Sequence, residues 1–303
     1  LLPPGMNPVG IAAALATAVS WAACAMFFTS ASRRIGSFSM NNWRVLFGTA
    51  LLFFIHAAAT GRALPEATSN QWSILLISGA VGVFVGDLFL FQSYLDIGPR
   101  LGLLIFNANP LFTATIAWPL LGERLGPVAW LGMAVTVGGT LWVLSEENPD
   151  GGGRPRYHTR GIIFALLAAL CQSIGYVIAK PAITGEGGLD PLAASLIRVG
   201  AAVILFWGTA LLRGQMPRVA RDFKNRAAML LLLGGAVTGP VVGIWLSLTA
   251  LKLIPAGIAA TLMATMPVVI LPFVVLFYRE RVSWRAAVGA AVAIAGVAIL
   301  VNS

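Results

Sequence analysis

Ten apolar runs follow one another along the chain, at roughly 8–31, 39–60, 72–95, 100–121, 127–145, 161–181, 190–212, 227–251, 256–277 and 284–302. Each is close to the ~20 residues that carry a helix across the hydrocarbon core. In lipid every backbone N–H and C=O must find its partner within the protein, which leaves helices and closed barrels as the only spanning structures. A barrel strand alternates polar and apolar residues in segments of about ten, and these runs do not alternate. The expected fold class is an all-α membrane protein with ten transmembrane helices. Composition agrees: 58% of residues are hydrophobic and 10% charged, against about 25% charged in soluble domains.

Only one gap is both long and polar, SEENPDGGGRPRYHT from Ser145 to Thr159. Its Pro, Gly and mixed charges suit a linker. It separates a first five-helix repeat (8–145) from a second (160–303), with the linker loop at 146–159. The two halves align. NPLFTATIAWPLLGERLG (Asn109–Gly126) faces MPVVILPFVVLFYRERVS (Met266–Ser283), each with a Pro followed by a Glu-Arg pair: Pro110, Glu123 and Arg124, then Pro267, Glu280 and Arg281. NNWRV (Asn41–Val45) faces SLIRV (Ser195–Val199), and GAVGVFVGDLFLFQSYLDIGP (Gly79–Pro99) faces GAVTGPVVGIWLSLTALKLIP (Gly235–Pro255). Five is odd, so after five crossings the chain stands on the opposite side. The second repeat therefore enters upside down, which is the inverted-repeat plan of many secondary transporters.

These residues resemble the drug/metabolite transporter superfamily in its EamA-type branch. The resemblance covers nearly the whole chain. It rests on the ten spans, the twice-occurring Pro…Glu-Arg, the Arg of the second helix in each repeat (Arg44, Arg198) and GDLFLF (Gly86–Phe91). It implies a secondary active transporter working by alternating access on a small amphipathic solute. Export of amino acids or related metabolites is the first expectation. A multidrug or organic-cation exporter is the alternative, with a lipid-linked substrate flippase or a non-transporting scaffold as a third. The bacterial inner (plasma) membrane is the expected location. Helices 1–4 and 6–9 are expected to line a cavity near the midplane, with helices 5 and 10 packed outside.

Ionisable and polar groups at membrane depth mark candidate sites. Arg44 lies near the start of helix 2 and Asp87 near the end of helix 3, on the same side. At 1.5 Å per residue they sit roughly 5 Å apart in depth, close enough to pair. The pair is either structural or a site at which Asp87 takes a proton or an amine and Arg44 holds a carboxylate. Arg198 has no acidic partner in its own repeat, because Gly243 stands where Asp87 would be. It either snorkels, contacts a carbonyl, or meets a substrate anion. Trp21 and its repeat counterpart Gln172, with Tyr176 one turn on, lie mid-helix and either line a cavity or pack between helices. Asn107 and Asn109 precede Pro110, which frees a carbonyl one turn back. Pro110 and Pro267 are expected to kink their helices and serve as gating points. Glu123, Arg124, Glu280 and Arg281 are expected to be structural interfacial charges.

The net charge of +9 does not point to nucleic acid, since the basic residues fill short gaps between spans. The linker side holds fourteen Lys and Arg, the side of the termini four. The positive-inside rule then puts both termini on the non-cytoplasmic face. The first apolar run lacks a basic leader and reads as a retained helix. Cys24 and Cys171 lie in apolar runs, so no disulfide framework is expected. No catalytic motif is present: GxxxxGK[ST], HExxH, CxxC and GxSxG are all missing, and no cofactor or metal is expected. The chain reads as a non-enzyme whose partners are a small-molecule substrate, membrane lipid and protons as a coupling ion.

Overall fold

The computed structural model describes residues 6–145, 158–269 and 283–303. In the first half α1 is Pro8–Ile35, α2 is Ser37–Thr60, and α3 is Ser69–Ile97. Next, α4 comprises Pro99–Phe106 and Asn109–Leu121, and α5 is Pro127–Ser145. In the second half α6 is His158–Ile183, α7 is Pro191–Leu212 and α8 is Arg226–Leu253. The described part of α9 is Ala256–Val269, and α10 is Trp284–Val301. A seven-residue helix, Met216–Asp222, joins α7 to α8. Eight of these helices are long and apolar enough to cross a bilayer; α5 and the described part of α9 are shorter apolar helices. The linker 146–157, Glu280 and Arg281 lie outside the described residues.

Local chemistry sets the boundaries. Asn7 caps α1 by accepting from the Val9 and Gly10 amides, with Pro8 at the first position, where its missing N–H costs nothing. Thr68 and Gln71 form a capping box at the start of α3. Gly36 is the single residue between α1 and α2, at φ +78°. That left-handed backbone suits glycine, and any side chain there would be strained.

Two irregularities recur at equivalent places in both halves. Helix α3 carries a π-turn at Ala80–Val85 and α8 one at Val237–Gly243. Helix α4 breaks in a turn at residues 107–108 and α9 in a turn at residues 264–265, just ahead of Pro110 and Pro267. The break has a direct cause. Pro110 cannot donate to the Phe106 carbonyl, and the Asn109 amide donates to it instead, at 3.3 Å.

The halves interlock rather than forming separate bodies. Helix α1 packs on α8 as α3 packs on α6. Likewise α2 meets α8 as α3 meets α7, and α4 meets α6 as α1 meets α9. The pairs α2 with α7, α4 with α9 and α5 with α10 join equivalent helices directly. Exchanging the halves maps this set onto itself, which is a two-fold relation. With five spans in each half, the repeats are inverted.

Small residues make the interlock possible. Gly82 on α3 faces Gly175 on α6, and the side chains of Ala14, Ala18, Ala22, Ala165, Ala168 and Ala169 are buried. Lipid tails are as apolar as leucine, so close backbone packing rather than the hydrophobic effect holds such helices together. The outward faces carry Phe54, Leu95, Leu212, Leu230 and Ile294 largely exposed, as a bilayer permits.

Helices α5 and α10 pack chiefly on each other. Gly139 lies against the Ala293 backbone and Gly296 against Thr136. Gly139→Val overpacks this seam and should cost about 1–3 kcal/mol, read as a lower melting temperature in detergent. Gly138→Ala, which adds its methyl to open space, should leave the melting temperature unchanged.

Candidate functional site

Three polar clusters lie between the helices, at different depths. The first is on the linker side. Arg44 of α2 and Asp87 of α3 form an ion pair, mostly shielded, with side-chain exposures of 12% and 18%. The Arg44 guanidinium also lies over the rings of Phe28 and Phe91, at 5.5 and 6.0 Å. Rings over a desolvated cation add to its stabilisation. Asp87 is the second residue after the π-turn, so the extra residue in that turn sets the direction of its carboxylate.

The second cluster mirrors the first across the two-fold but carries different chemistry. Arg198 of α7 is 1% exposed, so it neither snorkels nor reaches water. Its guanidinium lies 5.8 Å from the centre of the Tyr176 ring. Its Nε and Nη1 atoms have no hydrogen-bond partner, and no carboxylate pairs with it among the described residues. Gly82 leaves room beside its Nη2, where a Cβ would sit at 3.3 Å. The Tyr176 hydroxyl donates to the Met263 sulfur at 3.7 Å and has Gln172 and Ser247 beside it.

Trp21 takes a related place in the other half. Its indole Nε1 lies against Gly243, at 2.5 Å from where a Cβ would be. An acid at that position would displace the indole. The packing explains why the second repeat has glycine there.

Asn107 and Asn109 are buried at the α4 break. Asn109 donates its side-chain Nδ2 to the Phe106 carbonyl, and its backbone carbonyl accepts from Thr113 and Ser173, each at 2.9 Å. Asn107 differs, since its Nδ2 donor is buried without a partner. That donor gives Asn107 capacity to spare for a ligand.

The third cluster lies on the side of the termini. Glu123 pairs with Lys180, with side-chain exposures of 16% and 11%, and Arg124 takes no part. Glu123 also accepts from the Ala256 amide at 2.6 Å, at the N-terminus of α9, while Lys180 Nζ donates to the Ile254 carbonyl oxygen at 2.7 Å. One acid therefore ties the end of α4 to the end of α6 and the start of α9, where the helix dipole favours an anion. Glu123 therefore pairs across the fold and not with its sequence neighbour Arg124. Glu280 and Arg281 lie outside the described residues.

Sequence reasoning also passed over Asp96, whose carboxylate is 3% exposed and held by Arg160 Nε at 2.7 Å and Nη2 at 2.6 Å, with Gln92 donating at 3.0 Å. Both residues stand at helix ends, where charges are common, and only the α3–α6 contact brings them together.

Two interlocked five-helix units thus enclose unsatisfied polar groups at their junction, an arrangement suited to a membrane transporter. The comparisons with known proteins agree. The profile of the EamA-like transporter family matches residues 8–145 and 159–302. The chain belongs to that family. A protein of Archaeoglobus fulgidus named "Uncharacterized transporter" is 23% identical over 288 residues, covering 94% of this chain and 95% of its own. A chloroplastic WAT1-related protein of Arabidopsis thaliana is 30% identical over 135 residues, 45% of this chain and 32% of its own. A crystal structure matches with a TM-score of 0.74 over 96% of this chain and 95% of that one, at 17% identity, which shows the fold alone.

Removing one partner of a buried ion pair strands the other charge, at a cost of about 3–5 kcal/mol. Lys180→Met should therefore lower the melting temperature in detergent strongly. Adding Glu123→Gln to it should recover part of that loss, which would not follow if the pair were solvent-screened.

Proposed function

We propose that this chain is a secondary active exporter of small amphipathic metabolites bearing a carboxylate, most simply amino acids or related compounds, and that it works by alternating access. The observation that carries this reading is the buried Arg198 guanidinium with Nε and Nη1 unpartnered. An ion left without a counter-charge at membrane depth is costly, and a substrate carboxylate would supply both the charge and the acceptors. Arg44 is already neutralised by Asp87, so the centre holds one cation in surplus.

Tyr176, Gln172 and the free Nδ2 of Asn107 would serve the polar end of the solute, and Trp21 and Met263 the apolar end. The organic-cation alternative has less support, because the acid it needs, Asp87, is engaged by Arg44. Pro110 and Pro267, at the paired helix breaks, are the proposed hinges. The Glu123–Lys180 contact is read as a structural tie on the side of the termini. The Lys and Arg bias supports non-cytoplasmic termini in a bacterial plasma membrane.

The test is counterflow in proteoliposomes, comparing an amino acid with the amine obtained by removing its carboxylate. The wild type should exchange the acid and discriminate against the amine. Arg198→Gln should cut exchange of the acid about ten-fold or more, the scale of a lost charge-assisted hydrogen bond. Equal exchange of both compounds by the wild type would refute the carboxylate reading.

Asp87 is the proposed proton carrier, since protonation would release Arg44. Asp87→Asn at normal expression should flatten the pH dependence of exchange. Unchanged pH dependence would remove Asp87 from coupling.

A further inference from the structure

A cavity of about 470 Å³ opens between the end of α4 and the start of α5, lined by Ala114, Trp118, Glu123, Arg124, Leu125 and Trp130. It lies apart from the Arg198 centre. Its volume falls within the range of small-ligand pockets, about 300–1,000 Å³. Three features decide what fits it.

Charge comes first. Glu123 is on the wall, but its carboxylate is committed to Lys180 and the Ala256 amide. Arg124 beside it is exposed and makes no ion pair among the described residues. The cavity therefore presents one uncompensated cation.

Donors come second. The partly buried tryptophans Trp43 and Trp207 donate their indole N–H groups to the Val219 and Asn42 carbonyl oxygens. Trp118 and Trp130 make no such bond among the described residues and are 58% and 37% exposed. With Arg124 they give the cavity three free donor groups of two kinds.

Surroundings come third. Leu120 and Leu131, exposed at 67% and 57%, border these tryptophans in sequence. Ala114, Trp118, Leu125 and Trp130 make the wall and rim of the cavity mainly apolar, at the ends of two apolar helices. Tryptophan is enriched at this depth because its ring suits the boundary between headgroups and acyl chains.

We propose that this cavity is a binding site for one phospholipid, its phosphate held by Arg124 and the two indole N–H groups and its glycerol and upper acyl chain resting on Ala114 and Leu125. The remaining acyl length lies in the bilayer. The occupant is a membrane lipid rather than a soluble anion, because the rim is apolar. Occupancy steadies the turn 122–126, which starts at Gly122 with φ +70° and carries Glu123 to Lys180. The site therefore couples the lipid to the tie between α4, α6 and α9.

The experiment is native mass spectrometry of the purified full chain in mild detergent, titrated with a phosphatidylglycerol. The wild type should retain one tightly bound lipid. Arg124→Gln should retain it about five-fold less, the scale of one Lys or Arg contact near an anionic surface, and Trp130→Leu should weaken it independently. Arg62→Gln, which alters a paired arginine on the same side, should retain lipid as the wild type does. The same lipid should raise the melting temperature of the wild type but not of Arg124→Gln. Inorganic phosphate should displace nothing. Equal retention by wild type, Arg124→Gln and Trp130→Leu would overturn the proposal, as would displacement by inorganic phosphate.

Discussion

An odd number of crossings is the constraint on which the molecule rests. Two copies of a unit with an even number would stand the same way up and could sit side by side as separate bodies. Five crossings invert the second copy, so equivalent helices meet across an axis in the membrane plane, and α2 finds α7, α4 finds α9 and α5 finds α10. The interlock follows from that symmetry. So does the mirrored depth of Arg44 and Arg198, each the eighth residue of its helix.

Symmetry of backbone does not enforce symmetry of chemistry, and the polar clusters exploit the difference. The first repeat keeps an acid beside its arginine. The second gives that space to Trp21 and leaves Arg198 facing Tyr176 alone. Paired π-turns and paired helix breaks show how faithfully the scaffold was copied. The proposed function rests on the few positions where the copies disagree. A transporter that must close from either side needs equivalent hinges but has no need of equivalent ligands.

The spans, the duplication and the depth of Arg44 and Asp87 were legible in the sequence because each depends on a period or a count along one chain. The helix breaks were legible too, since a missing proline N–H has a local effect. What escaped was non-local. Glu123 adjoins Arg124 in sequence, yet from the turn after α4 it points inward to Lys180, 57 positions away, a contact no local pattern encodes. Asp96 and Arg160 are separated by the whole of α4, α5 and the linker. For Arg198 the sequence left snorkelling, a carbonyl contact and a substrate anion open, and the covering helices that bury it could not be read from one chain segment. The π-turns were hidden because one added residue barely changes an apolar pattern.

The one-residue joint at Gly36 has a mechanical meaning. With no slack between them, α1 and α2 cannot slide past each other, so a tilt in one is handed to the other. Helix α1 also grips α8 and α9, while α2 grips α7 and α8. A push on the first hairpin is thus delivered at several points to the opposite repeat, as a crank delivers force to a shaft. Lengthening that elbow would loosen the drive train while leaving every pocket residue in place.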